Sequence, residues 1–190
     1  IMMLLNRGLV ITTEKGFKVP EITLESIDEL YDARLCLELA ILRFSMRRGI
    51  KKSSVALLRE KVELEAEYCK SGNLIEALDC DLDFHRILNS LCRNQKIEDA
   101  YSNLEVQVKK LNVFSLASPN FDTPGIYFEI CDAIEVGDCE AACTKLEASI
   151  ESGRLQKKDA IEKFRSYGLQ GIYNFIANSF IVSHKKNNSS

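Results

Sequence analysis

The sequence predicts an all-α protein, an antiparallel bundle of six to seven helices led by a short β-hairpin. Three observations predict it. No proline occurs between Thr23 and Ala117, and helix interiors exclude that residue. Over the same stretch apolar residues recur at three- and four-residue intervals, the spacing of one helix face. Glycines at 49, 72 and 137 stand where that periodicity breaks, where helices stop.

Taken in order, residues 1–8 (Ile1-Met2-Met3-Leu4-Leu5-Asn6-Arg7-Gly8) read as a helix end closed by Gly8, so the chain is expected to begin inside a larger protein. Residues 9–13 are β-rich, Glu14-Lys15-Gly16 is a turn with a glycine available for positive φ, and 17–19 form a second strand closed by Pro20. A first helix is predicted over 24–48, with Thr23 as N-cap and Gly49 as its stop. A second starts at Ser53 or Ser54 and ends near Gly72, a third covers 73–93, and a fourth 95–115. The composition of 118–125 is that of a loop. A fifth helix follows over 126–136, Gly137-Asp138 turns the chain, and a sixth runs over 139–152. Residues 154–180 alternate charge with aromatics and read as helical, interrupted near Gly168 and Gly171. Residues 184–190 are polar, with no reason to order. The domains expected are therefore 1–20, 21–152, an additional helical segment over 153–182, and a tail over 183–190.

Bulk properties narrow the function. Hydrophobic residues make up 46% and charged residues 28% of the 190, the balance of a soluble globular protein. A net charge of −3 argues against a chain built to coat nucleic acid, though not against a small basic element on an acidic body. No apolar run suffices for a membrane span or a signal-peptide core. The seven cysteines are odd in number and contain no CxxC pair. They read as reduced thiols of a cytoplasmic protein, packing as small hydrophobes. Cys139 and Cys143 are one helical turn apart, but no His or Asp completes a metal set at a convincing spacing.

The chemistry concentrates in Asp81-Leu82-Asp83-Phe84-His85. Leu74, Leu78, Asp81, His85, Leu88 and Cys92 fall on one helical face, so a carboxylate and an imidazole sit in an apolar stripe. Burying them unpaired would cost several kcal/mol, about 2–7 for even a neutral polar group. They are either a buried i, i+4 pair or they line a cavity. Arg34 sits between Leu30 and Ile41 on the inward stripe of the first helix, with Glu38 one turn away as the near partner. The sharper reading gives Arg34 the carboxylate of an anionic ligand. Enzyme signatures are missing: the chain has no Gly-rich phosphate loop and no GxSxG. Of its two histidines only His85 lies outside the tail, so no catalysis is expected.

These pieces together resemble the GntR family of bacterial transcription regulators, in the FadR/FCD subgroup. There a winged helix-turn-helix precedes an all-helical effector-binding domain. Leu4 to Val10 followed by Lys15-Gly16-Phe17-Lys18-Val19 resembles the end of the recognition helix and the wing. Ile27-Asp28-Glu29-Leu30-Tyr31-Asp32-Ala33-Arg34 with Glu38 resembles the first effector-domain helix. Asp81-x-x-Phe84-His85 is the central motif, Arg93-Asn94 its helix break, and Ile130 to Ile134 with Gly137-Asp138 the penultimate helix and turn. The resemblance covers about residues 1–152.

The resemblance implies a homodimer whose effector changes its geometry on operator DNA. Arg7, Thr12, Thr13, Lys15, Gly16 and Lys18 would be the DNA-contacting remnant, touching phosphates, which position without reading sequence. Base readout needs the missing part of the recognition helix. Metal-binding members use one Asp and three His. Asp81 and His85 match the first two, but the others fall at Tyr127 and Ser149, poor ligands for a divalent transition ion. The expectation is thus no cofactor, and an effector cavity lined by Arg34, Asp81, His85, Tyr127 and Ser149 that takes a small organic or sugar acid. Two alternatives stay open: a zinc- or nickel-dependent sensor built on Asp81 and His85, and a ligand-free helical dimerisation module. In any of them Phe164, Tyr167, Tyr173, Phe175 and Phe180 could cover a dimer interface.

Overall fold

The computed structural model describes residues 11–18, 21–112 and 124–186, with 164–186 as helical backbone alone. The hairpin is present. Strand β1 (Ile11–Thr13) pairs antiparallel with β2 (Gly16–Lys18), placing Ile11 opposite Lys18 and Thr13 opposite Gly16. Glu14 and Lys15 alone form the turn. Gly16, expected inside it, opens β2 with φ +114°, and the Thr13 hydroxyl donates to its carbonyl at 3.0 Å. Arg7 and the helix end expected at 1–8 lie outside the described residues.

Among the described residues six helices follow: α1 (Leu24–Arg48), α2 (Lys52–Ser71), α3 (Leu74–Ser90), α4 (Gln95–Asn112), α5 (Pro124–Val136) and α6 (Cys139–Lys186). Their ends carry the signals the sequence advertises. Thr23 accepts from the Ser26 amide while Ser26 accepts from the Thr23 amide, a reciprocal cap that satisfies two orphan donors. Gly72 closes α2 in the left-handed region at φ +78°, a conformation glycine adopts without steric penalty. Helix α3 stops at Ser90, short of the predicted 93, because the turn that follows takes Arg93 to φ +48°. Helix α5 starts at Pro124, two residues early, where the missing N–H of proline leaves nothing unsatisfied. Residues 113–123, most of the predicted loop, lie outside the described set.

The largest departure is α6. Expected to end at Ser152 and to break near Gly168 and Gly171, it continues to Lys186, taking in His184. Its 48 residues span roughly 72 Å at 1.5 Å per residue. The continuation is docked onto α1. Tyr31 lies 3.4 Å from where a Cβ on Gly153 would stand, so this glycine permits a close helix approach. Beyond it Arg154 pairs with Asp32 at 2.6 Å, Lys158 pairs with Asp28 at 2.6 Å, and Ala160 and Ile161 are buried.

Helix α1 packs on α3, α4 and α6, α2 packs on α3 and α5, and α5 packs on α6. Ile27, Leu42, Leu58, Phe84, Leu88, Ile130, Leu146 and Ile150 form the shared core, each worth about 1.5–3 kcal/mol of transfer free energy. Arg59 on α2 clamps α5 through Asp132 and Glu135 at 2.5 and 2.8 Å. All seven cysteines are free thiols. Cys80, Cys92, Cys131 and Cys143 are buried as core residues, whereas Cys36 is exposed. Burial pushes the Cys131 thiol up to about 12 and, with Cys139 adding to it, the Cys143 thiol to about 11, so both are unreactive near neutral pH. No helix among the described residues is long and apolar enough to cross a membrane.

Candidate functional site

The polar residues singled out along the sequence converge where α1, α3, α5 and α6 meet. Helix α1 supplies Arg34 and Glu38, α3 supplies Asp81 and His85, α5 supplies Tyr127, and α6 supplies Ser149. Glu38 and His85 are fully buried, while Asp81 is partly open.

The contacts form one chain. Arg34 donates from Nε to Glu38 Oε1 at 2.6 Å, and the Tyr101 hydroxyl on α4 donates to the same oxygen at 3.3 Å. Glu38 Oε2 lies 2.7 Å from His85 Nδ1, and His85 Nε2 lies 2.9 Å from the Tyr127 hydroxyl. That hydroxyl donates to Asp81 Oδ1 at 2.5 Å, the length of an O–H to carboxylate bond. Glu38 accepts only, so the proton between it and His85 sits on Nδ1. Tyr127 gives its single proton to Asp81, and His85 Nε2 faces the hydroxyl oxygen.

Electrostatics agree with this chain. Burial alone would raise the Glu38 carboxyl, but the Arg34 guanidinium and His85 outweigh it and hold the group at about 2. Burial raises the Tyr127 hydroxyl, and the Asp81 and Glu65 charges raise it further, so it stays protonated and donates. The ring is held by Phe84, stacked on it at 4.4 Å, and by an edge contact from His85 at 5.4 Å. Thus the expected near partner of Arg34 is real: Glu38 engages its Nε. Arg34 nevertheless also lines the cavity described next.

Beside this chain lies a cavity of about 30 Å³, room for about one water molecule. Tyr31, Arg34, Asp81, Tyr127 and Ser149 line it, together with Asn112, Gln156 and Lys157. Four of the five expected cavity residues are therefore on its wall. His85 is not, since it stands behind Tyr127 and acts through it. Lys157 is buried, and burial outweighs the attraction of Asp81 to lower its ammonium to about 8.

Sequence reasoning missed Lys157, Asn112 and Gln156. For Lys157 the signal existed. It continues the stripe Leu146, Ile150, Gly153, Lys157, Ile161 at helical spacing, the logic that found Arg34, but lies past the predicted end of the sixth helix. Asn112 carried no such signal, being one polar residue at the end of a polar helix. As for metal ligands, among the described residues no group of three or more His, Cys, Asp or Glu could hold an ion.

The FCD domain family matches residues 29–152. Solved structures resemble the chain over most of its length. The structural-genomics crystal structure of a GntR transcriptional regulator assigned in Rhodococcus sp. RHA1 is 26% identical, covering 82% of this chain and 75% of that one with a TM-score of 0.66. McbR/YncC of E. coli is 15% identical, covering 86% and 82% with a TM-score of 0.74. A GntR family member from Pseudomonas syringae pv. tomato str. DC3000 is 18% identical, covering 86% and 69% with a TM-score of 0.60. No curated protein sequence gives a significant match. The family is one of transcriptional regulators rather than enzymes, with the FCD domain as its effector-binding part. On its sequence match and its helical architecture together, the chain belongs to the FCD-domain family, in the FadR/FCD subgroup of GntR-type transcription regulators.

Proposed function

We propose that this chain senses a small organic or sugar acid in the cavity beside Tyr127, and that binding alters the geometry of a homodimer on operator DNA. The observation that carries the reading is the convergence of Arg34, Asp81, Tyr127 and Ser149 from four helices on one cavity, backed by the buried Glu38–His85 pair. At about 30 Å³ the cavity is far below the roughly 300 Å³ of a ligand pocket. An acid must therefore part the helices to enter, and an effector shifts an equilibrium only by favouring the conformation that it fits. Change in the spacing of two DNA-reading helices follows from that parting. The hairpin residues Thr12, Thr13, Lys15, Gly16 and Lys18, with Arg7 before them, would contact phosphates.

The four-ligand metal site of the subgroup does not fit these residues. The Tyr127 hydroxyl fills the space between Asp81 and His85, bonding both, and Ser149 adds no strong ligand. The effector is accordingly held by hydrogen bonds and charge. A thermal-shift screen of organic and sugar acids tests this, with Asp81→Ala as the control. At least one acid should raise Tm in the parent and fail in the variant. Stoichiometric zinc or nickel in protein purified without chelator would favour the metal-dependent alternative. No response to any acid would leave a ligand-free dimerisation module.

A further inference from the structure

We propose that the end of the bundle where α1 turns into α2 is a docking surface for an acidic, amphipathic segment of a partner protein, separate from the cavity beside Tyr127. From Leu39 to Arg59 the chain carries no acid, although it has 28 in all. Arg43, Arg47, Arg48, Lys51 and Lys52 fall in that stretch, and all are exposed. Of the five only Arg43 has an ion pair among the described residues, with Glu140 at 2.6 Å. Arg47 and Arg48 close α1, where the helix dipole favours cations. Lys51 and Lys52 open α2, where it disfavours them, and no acid stands in that first turn. Helix stability therefore does not account for the two lysines.

Beside these cations is a cleft of about 490 Å³, lined by Arg43, Phe44, Met46 and Arg47 of α1 and by Gly137 and Cys139 where α5 turns into α6. That is within the roughly 300–1,000 Å³ of binding pockets. Val136, next to Gly137 in the chain, is 80% exposed. Arg47 and Arg48 pack over the Phe44 ring at 5.2 and 6.0 Å. Stacking holds a guanidinium plane in place and leaves its N–H edge to meet a carboxylate. Arg48 also donates to the Cys92 carbonyl, which extends the basic face to the exposed Arg93 and Lys96. The nearby acids are engaged: Glu140 holds Arg43, and Asp138 caps α6 through the Ala141 amide.

Charge and apolarity together select the occupant. A nucleic-acid backbone would engage the cations and leave the apolar cleft unused. A protein segment whose carboxylates flank an apolar side chain satisfies both. The side chain enters the cleft as an anchor, and the carboxylates meet Arg47, Lys51 and Lys52.

Selection of a random peptide library on the full chain, followed by fluorescence anisotropy of the enriched peptide, tests this. Enriched peptides should carry acids flanking aromatic or aliphatic residues, and their binding should weaken with added salt. Arg47→Glu with Lys51→Glu should weaken binding about 10-fold or more at unchanged Tm. Lys70→Glu with Lys109→Glu makes the same change of charge at the other ends of α2 and α4 and should leave binding intact. Replacing the apolar residues of the peptide with serine should weaken it as much as replacing its acids with glutamine. Equal binding by parent and Arg47→Glu/Lys51→Glu variant, or no enrichment on the parent over that variant, overturns the surface. Binding that survives loss of the apolar residues overturns the protein segment as occupant, as does a DNA duplex that binds this face more tightly than the peptide. A dimer that dissociates in the same variant, read by sedimentation, overturns it in favour of a second copy of the chain.

Discussion

The Tyr127 hydroxyl stands between Asp81 and His85, donating to Asp81 Oδ1 at 2.5 Å and lying 2.9 Å from His85 Nε2. It joins by hydrogen bonds the two groups that a metal ion joins in other members of the family. Restoring ligands should therefore restore the ion. The double variant Tyr127→His with Ser149→His, added to Asp81 and His85, completes the four-ligand set that the resemblance implies. Titrated with zinc, it should bind one equivalent and gain several degrees in Tm, with the parent unmoved. An equal zinc response in the parent would contradict the role given to Tyr127.

Glu38 satisfies Arg34, His85 and Tyr101 at once. Glu38→Gln leaves the Arg34 guanidinium buried against a neutral partner. Breaking a buried pair in this way costs about 3–5 kcal/mol. Urea unfolding should register the loss as a lower midpoint with an unchanged slope. The combination Arg34→Met with Glu38→Leu removes both charges and should recover part of it. A double variant weaker than the sum of the single ones would show that the network, rather than the pair, sets the stability.

The same carboxyl sets a pH dependence. Glu38 holds its proton at about 2 against 4.5 in the unfolded chain. Between these values the unfolded state binds more protons, so stability is complete above pH 4.5 and falls as pH drops through 2. The span corresponds to roughly 3 kcal/mol. Urea midpoints measured from pH 5 to 2 should fall steeply in the parent, and Glu38→Gln should flatten that decline.

How much of this was legible follows from where each signal lies. Asp81, His85 and Arg34 announced themselves by interrupting apolar stripes, and Thr23, Gly49 and Gly72 by cap chemistry, all within a few residues of chain. The chaining of Glu38 through His85 and Tyr127 to Asp81 spans α1, α3 and α5, and no local pattern encodes which helices become neighbours. The sixth helix, expected over 139–152, runs on through Gly153 for a related reason. In the bundle, contact with Tyr31 and the ion pairs of Arg154 and Lys158 hold the helix together through it. Tertiary packing overrode the local preference.

Lys157 should make stability rise at alkaline pH. Burial lowers its ammonium to about 8 from 10.5, with Asp81 on α3 partly restoring it and Arg34 on α1 lowering it further. Tyr31 on α1 and Tyr127 on α5 also face the cavity. Between pH 8 and 10.5 the unfolded chain holds the proton that the folded one has lost. The slope of stability with pH is then positive, and the folded protein escapes a penalty of about 3 kcal/mol carried below pH 8. Lys157→Met lacks the group, so the difference between variant and parent isolates it from other lysines and tyrosines. Denaturant midpoints should show the variant ahead at pH 7 and the gap closing by pH 10.

Gly153 gives the last expectation. A Cβ there would meet Tyr31 Cε1 and the Tyr31 hydroxyl oxygen at 3.4 Å, at the edge of ordinary contact. Gly153→Ala gains roughly 1 kcal/mol of helix propensity against a slight crowding, so it should be close to neutral. Gly153→Leu has nowhere to go between α1 and α6. Overpacking of this kind costs about 1–3 kcal/mol, and moving Tyr31 disturbs the cavity wall it forms. The leucine variant should therefore lose Tm and effector response together, while the alanine variant keeps both. Retention of acid binding in the leucine variant would mean that α6 can shift on α1 without deforming the site.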